Sequence, residues 1–209
     1  MGRGSVITVM ILFISILLIG ITVSSVLTET TTDTNSGDAT DYNLDQITDE
    51  IVNEITSYIQ IKDEKGKFSE INGEKRISKI ALLVSPLVSQ NIDLTQMTIQ
   101  LDNGESVRIL NYIDSRNLES NSIFDHFLWD NLTGNEFGLI SITDLDDSIA
   151  NLDAMNENSD NAYLIFKLPL DMAMKKYDKM VVTLLPSSGI TIHTLLKAPM
   201  PMSSIVTFE

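Results

Sequence analysis

From Val6 to Leu27 the chain reads VITVMILFISILLIGITVSSVL, 22 residues without a charge, of which 16 are Val, Ile, Leu, Met or Phe. As a helix this run is about 33 Å long, enough to cross the hydrocarbon core of a bilayer. Its 15 Val, Ile, Leu and Phe residues favour insertion by about 5 to 9 kcal/mol before the small polar positions are discounted. A secretory signal peptide has a shorter apolar core and a small-residue cleavage site, whereas Val-Ser-Ser-Val-Leu-Thr at residues 23–28 is a poor one, so the run is expected to be retained. It is apolar on every side, which suits either lipid or a bundle of like helices. Small residues such as Gly20 and Ser24 permit close backbone approach, and Val6, Val9, Phe13 and Leu17 complete the candidate packing positions. Hydropathy alone fits a single-span anchor and a bundle-forming subunit equally.

Charge orients the run. Arg3 is the sole base before Lys62, while Glu29, Asp33, Asp38, Asp41, Asp45, Asp49, Glu50 and Glu54 all follow Leu27. Positive charge stays cytoplasmic, so the N-terminus faces in and the bulk of the chain faces out. Residues 29–40, rich in Thr, Asp, Ser and Asn, form a polar break. Beyond it Leu44, Ile47, Ile51, Ile55 and Tyr58 recur at three- and four-residue steps, which predicts an amphipathic helix over residues 41–61. That helix packs either on its own domain or on neighbouring subunits.

The period changes to strands from Ile77. Ile80–Val84, Met97–Leu101, Val107–Tyr112, Phe137–Ile142, Tyr163–Leu170, Met180–Leu185, Ile190–Leu196 and Ile205–Phe208 are short apolar or alternating runs. Asp102-Asn103-Gly104-Glu105 joins the second to the third, and Asn-Gly is a strong hairpin signal. About eight strands without intervening helices predict a β-sandwich or open barrel. The expected class is α+β: a long N-terminal helix over residues 1–61, then an all-β domain over residues 62–209.

Composition excludes several functions. The 209 residues carry a formal charge of −15, with 29 acids against 14 bases, which repels nucleic acid. The absence of cysteine removes disulfides, thiolate metal sites and a cysteine nucleophile together. His126 and His193 lie in different segments, and no zinc-protease, nucleophile-elbow or phosphate-loop motif occurs. No enzyme activity and no cofactor are therefore expected, and His193 reads as a half-buried, satisfied strand residue. Asp144, Asp146 and Asp147, and separately Asp153, Asn156, Asn158 and Asp160, offer oxygen ligands without EF-hand spacing. Solvated loops rather than a metal site are the expectation there. Asn131-Leu132-Thr133 is the one N-glycosylation sequon, with chance occurrence an equal alternative.

The order of several short stretches carries a resemblance. Met1-Gly2-Arg3-Gly4-Ser5, running at once into a long aliphatic stretch, resembles the mature N-terminus of archaellins, the archaeal flagellins. Ile92-Asp93-Leu94-Thr95 leading into Thr98–Gly104 is similar to that family's first strand pair, and Gly189 through Ala198-Pro199 to the C-terminus resembles its last β-segment. Residues 115–161 match least. The resemblance implies a type IV pilin-like subunit whose short basic leader is removed by a prepilin-type peptidase. Such a subunit is inserted in the membrane, then polymerised with itself or a related archaellin on a membrane motor platform into an extracellular swimming filament, the archaellum. An adhesive pilin of the same superfamily and a non-polymerising, membrane-anchored β-domain of the motor or envelope are the alternative readings.

Overall fold

The structure is a computed structural model, and it describes residues 59–89, 91–118, 122–187, 190–200 and 203–208. These fall within a compact unit running from Leu44 to Glu209. The expected helices and polar break before residue 59 lie outside the described residues, as do Val6, Val9, Phe13, Leu17, Gly20 and Ser24. Among the described residues no helix is long and apolar enough to cross a membrane.

The first strand is one that the pattern did not announce. β1 (Ile59–Ile71) and β2 (Glu74–Pro86) form a long antiparallel hairpin. Asn72 and Gly73 turn it, both at positive φ, 53° and 79°, as a tight two-residue hairpin requires. Residues 59–61, expected at the end of the amphipathic helix, thus open a strand instead. Register shifts at Ile61/Asp63 and Lys67/Phe68 break the alternation of β1, and its lysines and acids hide what remains of it.

Apart from the two-residue β3 and β7, which the pattern did not announce either, the other strands follow the sequence closely. β3 (Ile92–Asp93) precedes β4 (Thr98–Asp102) and β5 (Val107–Asn117), which pair antiparallel across Asn103-Gly104 as expected. The Asp102 carboxylate accepts the Gly104 N–H at 2.8 Å, and the Asn103 side-chain oxygen accepts those of Glu105 and Ser106. A 3-10 turn at Ile123–Asp125 and α1 (Leu128–Asn131) come next, then β6 (Glu136–Thr143), α2 (Ser148–Leu152) and β7 (Ala154–Met155). β8 (Asn161–Lys167), β9 (Lys179–Leu185), β10 (Ile192–Lys197) and β11 (Ile205–Thr207) complete the order. Short helices therefore do intervene between strands.

Nine strands make one sheet, in the order β10-β9-β4-β5-β6-β8-β2-β1-β11, while β3 and β7 pair separately. Every pairing is antiparallel except β5 with β6. Laid flat, nine strands would span about 38 Å. Yet Phe68 on β1 and Leu196 on β10 belong to the same buried cluster as Ile99, Leu164 and Phe166, and the Thr194 hydroxyl of β10 donates to the Glu64 carboxylate of β1. The sheet is curled on itself. It is an open half-barrel around one core rather than two sheets packed face to face, which decides between the two architectures expected.

The outer face of the central strands is covered too. Ala81, Ile140 and Ile165, one each from β2, β6 and β8, form a second cluster with Phe124, Leu128, Trp129 and Leu132. Phe124 and Trp129 stack with ring centroids 5.7 Å apart, and the indole N–H donates to the Ile123 carbonyl at 2.8 Å. This pad explains why the stretches 80–84 of β2, 137–140 of β6 and 162–166 of β8 are nearly continuously apolar, since both faces are covered there.

Candidate functional site

The segment between β6 and β8, residues 144–160, holds six acids and no base. Asp147 and Asp153, at φ 56° and 51°, bracket α2 in the left-handed conformation that Asp tolerates. The Asp144 carboxylate accepts the Ile149 and Ala150 N–H groups at 3.0 and 3.3 Å, taking up free donors at the start of that helix. Burial pushes the Asp144 carboxyl above its ordinary range. Asp146 is exposed and held low, first by the Asn156 amide, which donates to it at 2.7 Å.

Asp160 is fully buried. Its Oδ2 accepts the Asn156 and Glu157 N–H groups at 2.9 and 3.0 Å, while its Oδ1 has no hydrogen-bond partner among the described residues. One carboxylate oxygen from each of Asp144, Asp146 and Asp160 lies within 4.8 Å of the others. A buried carboxylate oxygen without a donor is costly, and three carboxylates this close repel. A hard divalent cation answers both, because Ca²⁺ takes an all-oxygen ligand set and brings the missing positive charge. The donors present fit such an ion.

Sequence reading held the two acidic runs apart and expected solvated loops. The fold brings Asp144 and Asp146 from the first run together with Asn156 and Asp160 from the second. Asp147 and Asp153 are used as helix flanks, and Asp153 also accepts the Tyr112 and Ser115 hydroxyls. Burial and the bond to Asp153 push the Tyr112 phenol far above its usual pKa. Asn156 ties the two runs together, donating its amide to Asp146 and accepting the Ser148 hydroxyl, while the β3–β7 pair, Ile92 opposite Met155 and Asp93 opposite Ala154, fastens the loop to β3.

The remaining candidates are dispersed. His126 is buried, its Nδ1 accepting the Leu128 N–H at 3.1 Å beside the Phe127 ring. His193 is exposed rather than half-buried, and its Nδ1 pairs with the Thr183 hydroxyl at 2.9 Å. An edge strand on the outer face leaves it open to solvent. The two imidazoles stand on different elements and form no pair. Asn131 ends α1 with its side chain exposed, and Thr133 is exposed as well.

A curled β-sheet with a padded outer face and a cation-suited loop defines a structural β-domain. The sequence matches the archaeal-type flagellin model over residues 2–194, and the chain belongs to that family, as a structural filament subunit. None of the curated proteins matches the sequence significantly. Among solved structures, the crystal structure of archaeal flagellin FlaB1 from Methanocaldococcus jannaschii is similar at 19% identity and a TM-score of 0.65, over 72% of this chain and 95% of that one. The archaeal flagellum of Methanospirillum hungatei strain JF1 is similar at 10% identity and a TM-score of 0.50, over 94% and 92%. The curled sheet is thus the fold of archaellin structures.

Proposed function

We propose that the chain polymerises with copies of itself through the apolar run at residues 6–27 into an extracellular swimming filament, its β-domain facing out. Before assembly the run sits in the membrane, a prepilin-type peptidase trims the leader, and a motor platform receives the subunit. Val6, Val9, Phe13, Leu17, Gly20 and Ser24 pack the filament core, and the β-domain carries out no catalysis. What supports this reading is that the family match begins at residue 2 and so takes in the apolar run together with the β-domain. Asn131, exposed at the end of α1, is the glycan acceptor.

Substitution at Leu17 tests the core. It lies near the middle of the charge-free run, and no Lys or Arg occurs between Arg3 and Lys62 to offset an acid there. Leu17→Asp adds about 2.5 to 3.5 kcal/mol to insertion alone, repeated at every subunit, whereas Leu17→Met keeps volume and polarity. Leu17→Asp cells are expected to make the protein but no filaments, and Leu17→Met cells to assemble and swim. Filaments of normal length from Leu17→Asp would place the polymerising surface elsewhere.

A further inference from the structure

Charge on the β-domain is unevenly spread along its strands. Lys67 on β1 stands directly opposite Lys79 on β2, and Lys79 directly opposite Lys167 on β8. Like charges opposed on neighbouring strands destabilise a sheet, and these strands lie inside the sheet order, so edge protection does not account for them. Lys67 has a counter-ion in Asp125 at 3.4 Å and lies over the Phe124 ring. Lys79 packs over the Trp129 ring at 4.8 Å. Burial and then its two lysine neighbours lower the Lys79 pKa, against a weaker pull from Asp130 and Asp125. The Lys167 side chain has no hydrogen bond or ion pair among the described residues. Exposed apolar side chains accompany the row: Ile205 pairs with Lys67, and Leu170 follows Lys167 by three residues.

The acidic segment 144–160 lies at the other end of the same strand. It leads into Asn161, the first residue of β8, whereas Lys167 is the last, so the two charge centres are separated by about 20 Å of extended chain. The β3–β7 pair and the bond from Ser115 to Asp153 hold the segment in place. Besides its acids it presents Leu145 and Leu152, 79% and 71% exposed. One pole is therefore acidic with exposed leucines, and the other carries a lysine row with exposed apolar neighbours. The two complement each other in charge and in polarity, and within one subunit they are out of reach.

We propose that the lysine row Lys67–Lys79–Lys167 of one subunit receives the acidic segment 144–160 of a second copy of this chain. The contact is heterologous, its two halves differing; such a contact builds a ring where its rotation closes and an open helical array where it does not, and the filament reading calls for the second. It also sets direction, because the row end of every subunit faces the acidic end of the next. The proposal rests on the filament reading and fails separately from it. Wild-type cells without filaments would end that reading, and filaments indifferent to the charges below would end only this one.

Charge exchange in whole filaments is the test. Lys167→Glu reverses the row member whose side chain makes no hydrogen bond, ion pair or ring contact among the described residues. Glu157→Lys reverses an exposed acid of the segment whose side chain bonds only to the neighbouring Ser159 hydroxyl among the described residues. Each single change is expected to lower the thermal midpoint of filament dissociation by about 2 to 4 °C, and the doubly exchanged chain to recover most of that loss, since every subunit then carries both reversed halves. Circular dichroism of dissociated subunits, unchanged in all variants, separates loss of contact from loss of fold; where Lys167→Glu does unfold the subunit, Lys167→Gln and Glu157→Gln replace it in a double-mutant cycle, with non-additive losses expected. Unchanged midpoints, or additive losses in the double variant, overturn the proposal. So do filaments that keep their midpoint but no longer bind a polyanion-coated surface, because the row would then serve an external polyanion.

Discussion

Gly138 is where the padded face of the sheet leaves least room, and Gly138→Ala measures how firmly that pad is seated. The residue lies on β6 between Asp114 of β5 and Ile165 of β8. An added Cβ would stand 2.9 Å from Leu128 Cδ2 and 3.1 Å from the Asp114 carbonyl oxygen. Neither neighbour moves cheaply. Leu128 is fully buried in the second cluster, and the Asp114 carbonyl is backbone at a register shift that β5 uses to stay paired with β6. Overpacking of this kind costs about 1 to 3 kcal/mol, and replacing a strand glycine returns about 0.5 to 1 kcal/mol. A net loss of up to about 2.5 kcal/mol follows, or up to roughly 10 °C in midpoint for a domain of this size. Trp129, the single tryptophan, is 1% exposed in the same pad, so its fluorescence reports thermal and urea unfolding of a truncated chain beginning at Leu44. Leu128→Ala, costly alone, opens the space that Cβ needs, so the double variant is expected to be more stable than the sum of the singles. A Gly138→Ala midpoint above wild type, or strict additivity with Leu128→Ala, would refute the reasoning.

The truncated chain beginning at Leu44 lacks the apolar run and keeps the whole half-barrel, and it is expected to be a soluble monomer by sedimentation; an insoluble or filamentous product would contradict the division of labour between run and domain. Calcium at neutral pH is expected to raise its midpoint and chelator to reverse the gain, in proportion to the logarithm of free ion; a midpoint blind to calcium removes the cation from the acidic cluster. In chelator, Asp144 binds its proton more tightly in the folded state than in the unfolded one, so its contribution is present at low pH and lost as pH rises from its ordinary value of 3.8 through its raised one. Asp144→Asn is expected to flatten that decline, and an unaltered pH profile would show that another group sets it. Asn131→Gln filament subunits are expected to lose the mass of a glycan by mass spectrometry, and equal masses beyond the substitution would show that the sequon is unused.

Where single residues specify local geometry, the sequence was legible. Asn103-Gly104 foretold the β4–β5 hairpin because positive φ at Gly104, 83°, leaves few other uses for that pair. Asn72-Gly73 is the same signal and turns the longest hairpin, but the Lys- and Glu-rich β1 beside it shows no clean alternation, since two register shifts move its side chains between faces. The pad over the outer face was invisible for a different reason. Phe124, Leu128 and Trp129 have neither helical nor strand period over so short a stretch, and only the sheet beneath gives them a partner. The cation-suited cluster escaped because its ligands come from either end of a loop whose ends are joined by Asn156 side-chain bonds to Asp146 and Ser148, and such bonds leave no periodic trace. The apolar run, readable from hydropathy alone, needed no tertiary information.

An open half-barrel leaves two edges, and edges invite pairing with any passing strand. β11 is only three residues long, and its neighbourhood is tied to β1 through the Phe208 N–H to the Glu64 carbonyl at 3.0 Å and the Phe68 N–H to the Ser204 carbonyl at 2.8 Å. β10 turns toward β1, where its Thr194 hydroxyl meets Glu64, and its outward positions include His193 and Lys197. Both edges are thus short, charged or occupied. A subunit that must travel as a monomer and then polymerise needs this restraint, because sheet-edge pairing would join β-domains in any register and at any time. The net charge of −15 adds a general repulsion between subunits, which apolar burial and oppositely charged contacts must together offset. In the assembly proposed above, driven by the apolar run and steered by localised charge, the β-domain stays inert until the run has brought the next copy alongside.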